Sequence, residues 1–160
     1  MDTLLPLAGR VAALLKSRKQ TIAVAESSAG GLLAASLLAV PGASAYFLGG
    51  AVVYTLKART LLMGISDADM QGMRSSSEPY AMLLARTQRE RFGATWGLAE
   101  TGASGPTGNR YGDAAGHTCV AVSGAVERVL TLETASNDRV ANMRAFTRAA
   151  LELMEKSLAA

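Results

Sequence analysis

The sequence predicts an α/β fold: a three-layer α/β/α domain with a mixed, mostly parallel sheet. Three observations carry the prediction. Short apolar runs alternate with segments of helical periodicity along most of the chain. The first run, Ile22–Ala25, ends in a small-residue turn, Glu26-Ser27-Ser28-Ala29-Gly30-Gly31, that leads straight into a helix. Near the end, two strand-like runs flank Gly124-Ala125, which reads as a hairpin that adds antiparallel strands.

In order, Leu4, Leu7, Val11, Leu14 and Leu15 recur at helical spacing over Thr3–Arg18, with Pro6 tolerable in the first turn. Ile22–Ala25 is the first strand and Leu32–Val40 the second helix, ended by Pro41-Gly42. Ala43–Phe47 suits a short helical turn. Leu48–Tyr54 reads as the second strand and Lys57–Met63 as a helix stopped by Gly64. Ser66–Gly72 holds a capping serine and acids that suit another short helix. Ser76-Ser77-Glu78-Pro79 starts a helix that runs to Phe92 and closes at Gly93. Thr95–Glu100 is the third strand. A loop from Thr101 to Ala115, rich in Gly, Ser, Thr, Asn and Asp, follows it; a loop that long inside a compact domain points to function. His117–Ser123 and Glu127–Thr134 are the fourth and fifth strands, and Ser136 or Asn137 caps a last helix to about Leu158.

Composition narrows the function. The 160 residues form a prior for one domain, read here as 1–160. At 49% hydrophobic and 18% charged residues the chain is globular and not disordered. The net charge of +3 comes from scattered basic residues without interleaved aromatics, which argues against nucleic acid and suits a small phosphorylated ligand. A single cysteine, Cys119, excludes an internal disulfide and a cysteine-based zinc site; a single histidine, His117, excludes a multi-histidine metal centre. No signal segment or membrane span is visible, so the reading is a cytoplasmic protein with no membrane partner. Small apolar side chains on the helices are compatible with a homo-oligomer.

In sheets of this kind ligands bind beyond the carboxyl ends of the strands. The loops 26–31, 54–59 and 101–116 all fall there. The Ser-Gly turn can offer backbone N–H groups and a helix N-terminus to an anion, or present Ser27 as a nucleophile; it can also be a tight turn that needs glycine. Ser27 would need a base. His117 stands alone at a strand start, and Lys57 is the one lysine near the predicted site. Tyr54 ends a strand, where it can donate a hydrogen bond or fill an edge. Thr101, Ser104, Thr107, Asn109 and Asp113 decorate the long loop, whose Gly102, Gly105, Gly108 and Gly112 let its backbone turn toward a ligand. Arg139 can fork onto a phosphate or pair with Asp138 or Glu133. Glu26 and Glu100 stand at strand ends and form a carboxylate pair suited to acid/base work.

Several segments together resemble one family. AESSAGG resembles the AESCTGG signature of the CinA (competence/damage-inducible protein) C-terminal domain family, also known as nicotinamide-nucleotide amidase. PGASAYFLGGAVVYTLKAR is similar to that family's PGSS-x-x-F-x-G-G-x-V-x-Y-S-N-E-A-K. SSSEP, ETGASGPTG, GHTCVAV and SNDR resemble further family segments in the same order and at matching gaps. The resemblance covers nearly the whole chain and suggests the stand-alone form. It implies a three-layer α/β/α fold and hydrolysis of the carboxamide of nicotinamide mononucleotide to nicotinic acid mononucleotide and ammonia. It also implies a serine nucleophile, a lysine base and neither metal nor cofactor. Carried over, Ser27 is the nucleophile and Gly30 and Gly31 shape its turn on the substrate side. Tyr54 and Thr101 belong to the catalytic set, Gly102, Ser104 and Gly105 line the site, and Arg139 holds the phosphate.

The departures matter. The family lysine falls on Arg59, its asparagine on Leu56, and the signature's Cys-Thr on Ser28 and Ala29. An arginine stays protonated and cannot be a general base, so Arg59 in the catalytic set would bind an anion or polarise a carbonyl. Lys57, two residues away, would not share a helix face with it. The loop 107–115, TGNRYGDAA, lacks the family's usual K-P-V ending. Two readings follow: an amidohydrolase with altered chemistry, or a catalytically silent member that binds a nucleotide-like ligand or a partner.

Overall fold

A computed structural model describes all 160 residues. Five strands form one sheet in the order β2-β1-β3-β4-β5. β1 (Ile22–Glu26) pairs in parallel with β2 (Phe47–Val52) on one side and β3 (Trp96–Ala103) on the other. β4 (His117–Ser123) and β5 (Glu127–Glu133) add antiparallel ladders. α1 (Leu5–Ser17), α2 (Leu32–Leu38) and α5 (Arg139–Ala159) cover one face, where Leu7, Val11, Leu15, Leu33 and Leu37 pack on Ile22, Val24, Leu98, Val120 and Val122. α3 (Leu56–Met63) and α4 (Glu78–Phe92) cover the other, around Ala25, Ala99, Cys119 and Ala121. The strand period of two thus splits β1, β3 and β4 between two cores. The fold is the expected α/β sandwich, and Cys119 is a buried free thiol.

The topology fixes where a ligand can sit. From β1 the chain passes through α2 to β2 on one flank, then returns through α3 and α4 to β3 on the other. The strand order therefore reverses at the carboxyl ends of β1 and β3, where such sheets leave a crevice. Because β4 runs back and β5 forward, the start of α5 comes to this same end.

Four expectations are corrected. β3 runs on to Ala103, so Thr101 and Gly102 are strand residues and not loop: Thr101 pairs with Cys119 and Gly102 with Thr118. Gly102 permits this, since a Cβ there would lie 2.3 Å from the His117 carbonyl oxygen. Residues 66–72 form turns and no helix; Asp69 accepts from both N–H and hydroxyl of Ser66, and Gln71 and Gly72 take positive φ, which stops helical propagation. β2 ends at Val52, and Thr55 caps α3 through the Ala58 N–H at 3.1 Å. The cap of α5 is Asp138, which accepts from the Ala141 N–H at 3.0 Å, and not Ser136 or Asn137. Ser77 and Gly93 cap α4 as expected.

Candidate functional site

At that crevice lies a polar cleft of about 470 Å³. Ser27 and Ser28 after β1, Val53–Leu56 after β2, and residues 101–105 and 107–111 line it. Ser75, Ser76 and Tyr80 close one side, and Arg139 comes from the start of α5. The three loops named from sequence therefore do bring side chains to one place.

The turn between β1 and α2 is held from inside by two carboxylates. Glu100, fully buried, accepts from the N–H groups of Ser27 at 3.0 Å and Ala29 at 2.9 Å and from the hydroxyls of Ser28 and Thr118 at 2.5 and 2.8 Å. Glu26, also fully buried, accepts from the N–H groups of Gly31, Leu33 and Ala34 at 2.8 to 3.1 Å. It takes the place an external anion would have at the N-terminus of α2. Burial raises the Glu26 carboxyl above its usual range, against those three N–H groups. This overturns two readings. Glu26 and Glu100 are anchors outside the cleft lining, and not an acid/base pair. In the turn, the N–H groups of Ser27, Ala29 and Gly31 are engaged by these carboxylates, and that of Gly30 by the Ser27 carbonyl. Gly30 and Gly31 do not line the cleft: they take φ +69° and +100°, and Gly30 lies against Met143 of α5.

Ser27 itself faces the cleft, and no protein group hydrogen-bonds its hydroxyl. Thr101 lines the floor and accepts the Ser76 N–H at 3.2 Å. Gly102, Ser104 and Gly105 line the wall beyond it; the Ser104 carbonyl accepts from Asn142 at 2.9 Å. Arg139 donates to the Gly105 carbonyl and, at 3.1 Å, to the Tyr54 hydroxyl. It pairs with neither Asp138 nor Glu133. Tyr54 is well exposed at the rim and so is not a core filler.

Arg59 sits behind the cleft. Its guanidinium is buried, donates to the Ile65 carbonyl and pairs with Asp67, and its side chain is not among the lining groups. The expectation that Arg59 contacts a ligand meets no support in this placement. Lys57 is exposed on a helical segment and does not line the cleft. His117 does not either: it is buried, bonded to Glu133 through Nδ1 and to the Ser76 carbonyl at 2.8 Å through Nε2. Burial alone would lower its pKa, but Glu133, the Ser76 carbonyl and Asp113 outweigh it and hold it above the usual histidine range. The ionisable side chains that do face the cleft are Tyr54, Tyr80, Arg110, Tyr111 and Arg139. Burial pushes the Tyr80 phenol up to about 12.

Sequence reading missed Arg110 and Tyr111. The Tyr111 ring has two guanidinium groups against it, that of Arg74 at 5.5 Å and that of Arg110 at 5.1 Å from its centroid. Asn109 was expected to decorate the loop, and it organises it: its side-chain oxygen accepts from the N–H groups of Tyr111 and Asp113, and its amide donates to Asp113 at 2.8 Å. The Arg-Tyr pair inside a Gly-Asn-rich loop was the signal available.

The comparisons agree with this architecture. A family profile described as CinA C-terminal domain matches residues 4–158. The chain is 38% identical over 154 residues to a CinA-like protein of Gloeobacter violaceus, covering 95% of this chain and 36% of that one. With a CinA-like protein of Salinibacter ruber it shares 36% over 144 residues, or 90% and 35% of the two chains. The solved CinA superfamily protein of Klebsiella pneumoniae 700603 superposes with a TM-score of 0.91 at 25% identity, covering 98% of each chain. The competence/damage inducible protein CihA of Agrobacterium tumefaciens gives 0.89 at 25% identity, over 98% and 96%. The fold is that of a three-layer α/β/α domain with a polar cleft at its switch point. This chain belongs to the CinA C-terminal domain family. It spans about a third of the length of the curated relatives it matches.

Proposed function

We propose that the cleft binds a small, phosphorylated, nucleotide-like molecule and that Arg139 holds the phosphate. The observation that carries this reading is the setting of Arg139. Its guanidinium stands in a cleft with no carboxylate in the lining, and its two protein partners, the Gly105 carbonyl and the Tyr54 hydroxyl, are neutral. Its remaining N–H groups keep the fork that suits phosphate oxygens. Ser27, Ser104 and Thr107 supply hydroxyls for the sugar and base. The test is titration of the protein with nicotinamide mononucleotide and with its nucleoside: the nucleotide binds at least about tenfold more tightly, since a charge-assisted bidentate contact is worth more than about 1.4 kcal/mol. Equal affinities would reject the reading.

Amide hydrolysis through Ser27 is the second reading, favoured by the unengaged hydroxyl at the switch point and by the AESSAGG resemblance. Attack on the carboxamide carbon requires that the serine proton be taken up and later delivered to the leaving ammonia. No lysine, histidine or carboxylate lines the cleft to do so. Binding is therefore placed first. Ammonia release from nicotinamide mononucleotide, measured for the wild type, decides between the two readings. Silence supports a binding cleft that lacks its base, and turnover supports hydrolysis.

A further inference from the structure

The long loop after β3 carries a second arginine into the cleft, and its surroundings differ from those of the other cations nearby. Arg110 is exposed, lines the cleft and donates to the Tyr111 hydroxyl at 3.1 Å, with its guanidinium over the same ring. Arg74, also against that ring, is tied to both carboxylate oxygens of Asp113 at 2.6 and 3.0 Å and is neutralised there. Arg110 has no such partner, and no carboxylate lines the cleft. Its loop is built and not loose: the Asn109 and Asp113 bonds fix the turn that carries it.

Arg139 and Arg110 hang on separate supports, the first on Tyr54 and Gly105, the second on Tyr111 beside Ser75. They are two contact points and not one fork. Of the N–H groups in the Ser-Gly turn, those of Ser27 and Ala29 are taken by Glu100 and that of Gly31 by Glu26. Both arginines line one cleft that has no carboxylate in its lining, and a ligand with two anionic groups supplies a countercharge to each.

We propose that Arg110 is a second anion-binding group of this cleft, and that the ligand carries an anionic group besides the phosphate held by Arg139. The inference rests on the nucleotide-binding reading above and narrows its substrate class. The second anion is either a carboxylate at the base end or a second phosphate. Three probes separate these sources. Nicotinamide mononucleotide has one phosphate; nicotinic acid mononucleotide adds a ring carboxylate; nicotinamide adenine dinucleotide adds a second phosphate.

The experiment is calorimetric titration of all three into the wild type, Arg110→Ala and Arg139→Ala at fixed ionic strength. The wild type binds one of the two richer ligands about tenfold more tightly than nicotinamide mononucleotide, in line with one charge-assisted contact. Which one it prefers identifies the second anion. Arg110→Ala, a change at an exposed side chain, brings that ligand to within about twofold of nicotinamide mononucleotide measured on the same variant. Absence of a preference in the wild type, or a preference that survives Arg110→Ala, overturns the role of Arg110. If Arg139→Ala still weakens all ligands in that case, the underlying reading stands alone. If none of the three binds the wild type, both fall.

Discussion

The Glu100 carboxylate holds the backbone N–H of Ser27 at 3.0 Å, so an acid on β3 fixes the position of a serine on the turn after β1. The bond crosses the switch point of the sheet and sets the cleft floor. The same carboxylate serves Ser28, Ala29 and Thr118.

Replacement of Glu100 by alanine leaves the Ser27 and Ala29 N–H groups and the Ser28 hydroxyl without this acceptor, while Thr118 keeps the Thr101 carbonyl at 3.2 Å. An unsatisfied buried donor costs about 1–3 kcal/mol, and several are lost at once. Glu100→Ala is expected to lower unfolding stability by at least about 3 kcal/mol in urea denaturation and to weaken nucleotide binding with it. A loss below about 1 kcal/mol would show that the turn does not depend on this anchor.

Gly30 takes φ +69°, and a Cβ there would stand 2.8 Å from the Met143 methyl carbon. Gly30→Ala combines a left-handed backbone with a shift of that side chain, worth about 1–2 kcal/mol. Thermal unfolding should report a lower Tm, and ligand binding should fall less than in Glu100→Ala.

His117 carries a folded-state pKa above its ordinary value because Glu133 and the Ser76 carbonyl accept from the ring. A raised pKa means the folded state binds the proton more tightly. The stabilisation is full below the ordinary histidine range and is lost as pH rises through the folded-state value. Unfolding stability of the wild type should therefore decline on the alkaline side of the histidine range, and His117→Gln should flatten that decline. A wild-type profile with the opposite slope in this window would contradict the bonding described.

Turnover is the fourth case. With no base in the lining, wild type and Ser27→Ala are expected to release ammonia from nicotinamide mononucleotide at the same background rate. Wild-type release that Ser27→Ala abolishes would restore the amidohydrolase reading and send the search for a base to the tyrosines of the cleft.

Periodicity and turn residues in the sequence were enough for the sheet, its flanking helices and most caps, because local signals such as Ser77-Glu78-Pro79 and Gly93 decide those places. They were not enough for the end of β3, where Thr101-Gly102-Ala103 reads as loop and is strand because β4 pairs with it. Nor could they show that Glu26 and Glu100 turn inward onto backbone N–H groups, since a carboxylate at a strand end looks the same whether it serves a ligand or the fold. Arg59 was named from its place in a motif; burial and the Ile65 and Asp67 contacts that set its role are tertiary facts. Arg139 was legible as a helix-start cation, while its link to Tyr54 joins residues 85 apart in sequence.

The central claim is that Arg139 is the phosphate anchor of this cleft. It is tested most directly by titrating wild type and Arg139→Ala with nicotinamide mononucleotide and with the nucleoside that lacks its phosphate. The account predicts at least about a tenfold loss for the nucleotide and little change for the nucleoside. An equal loss for both, or no loss for either, would contradict it.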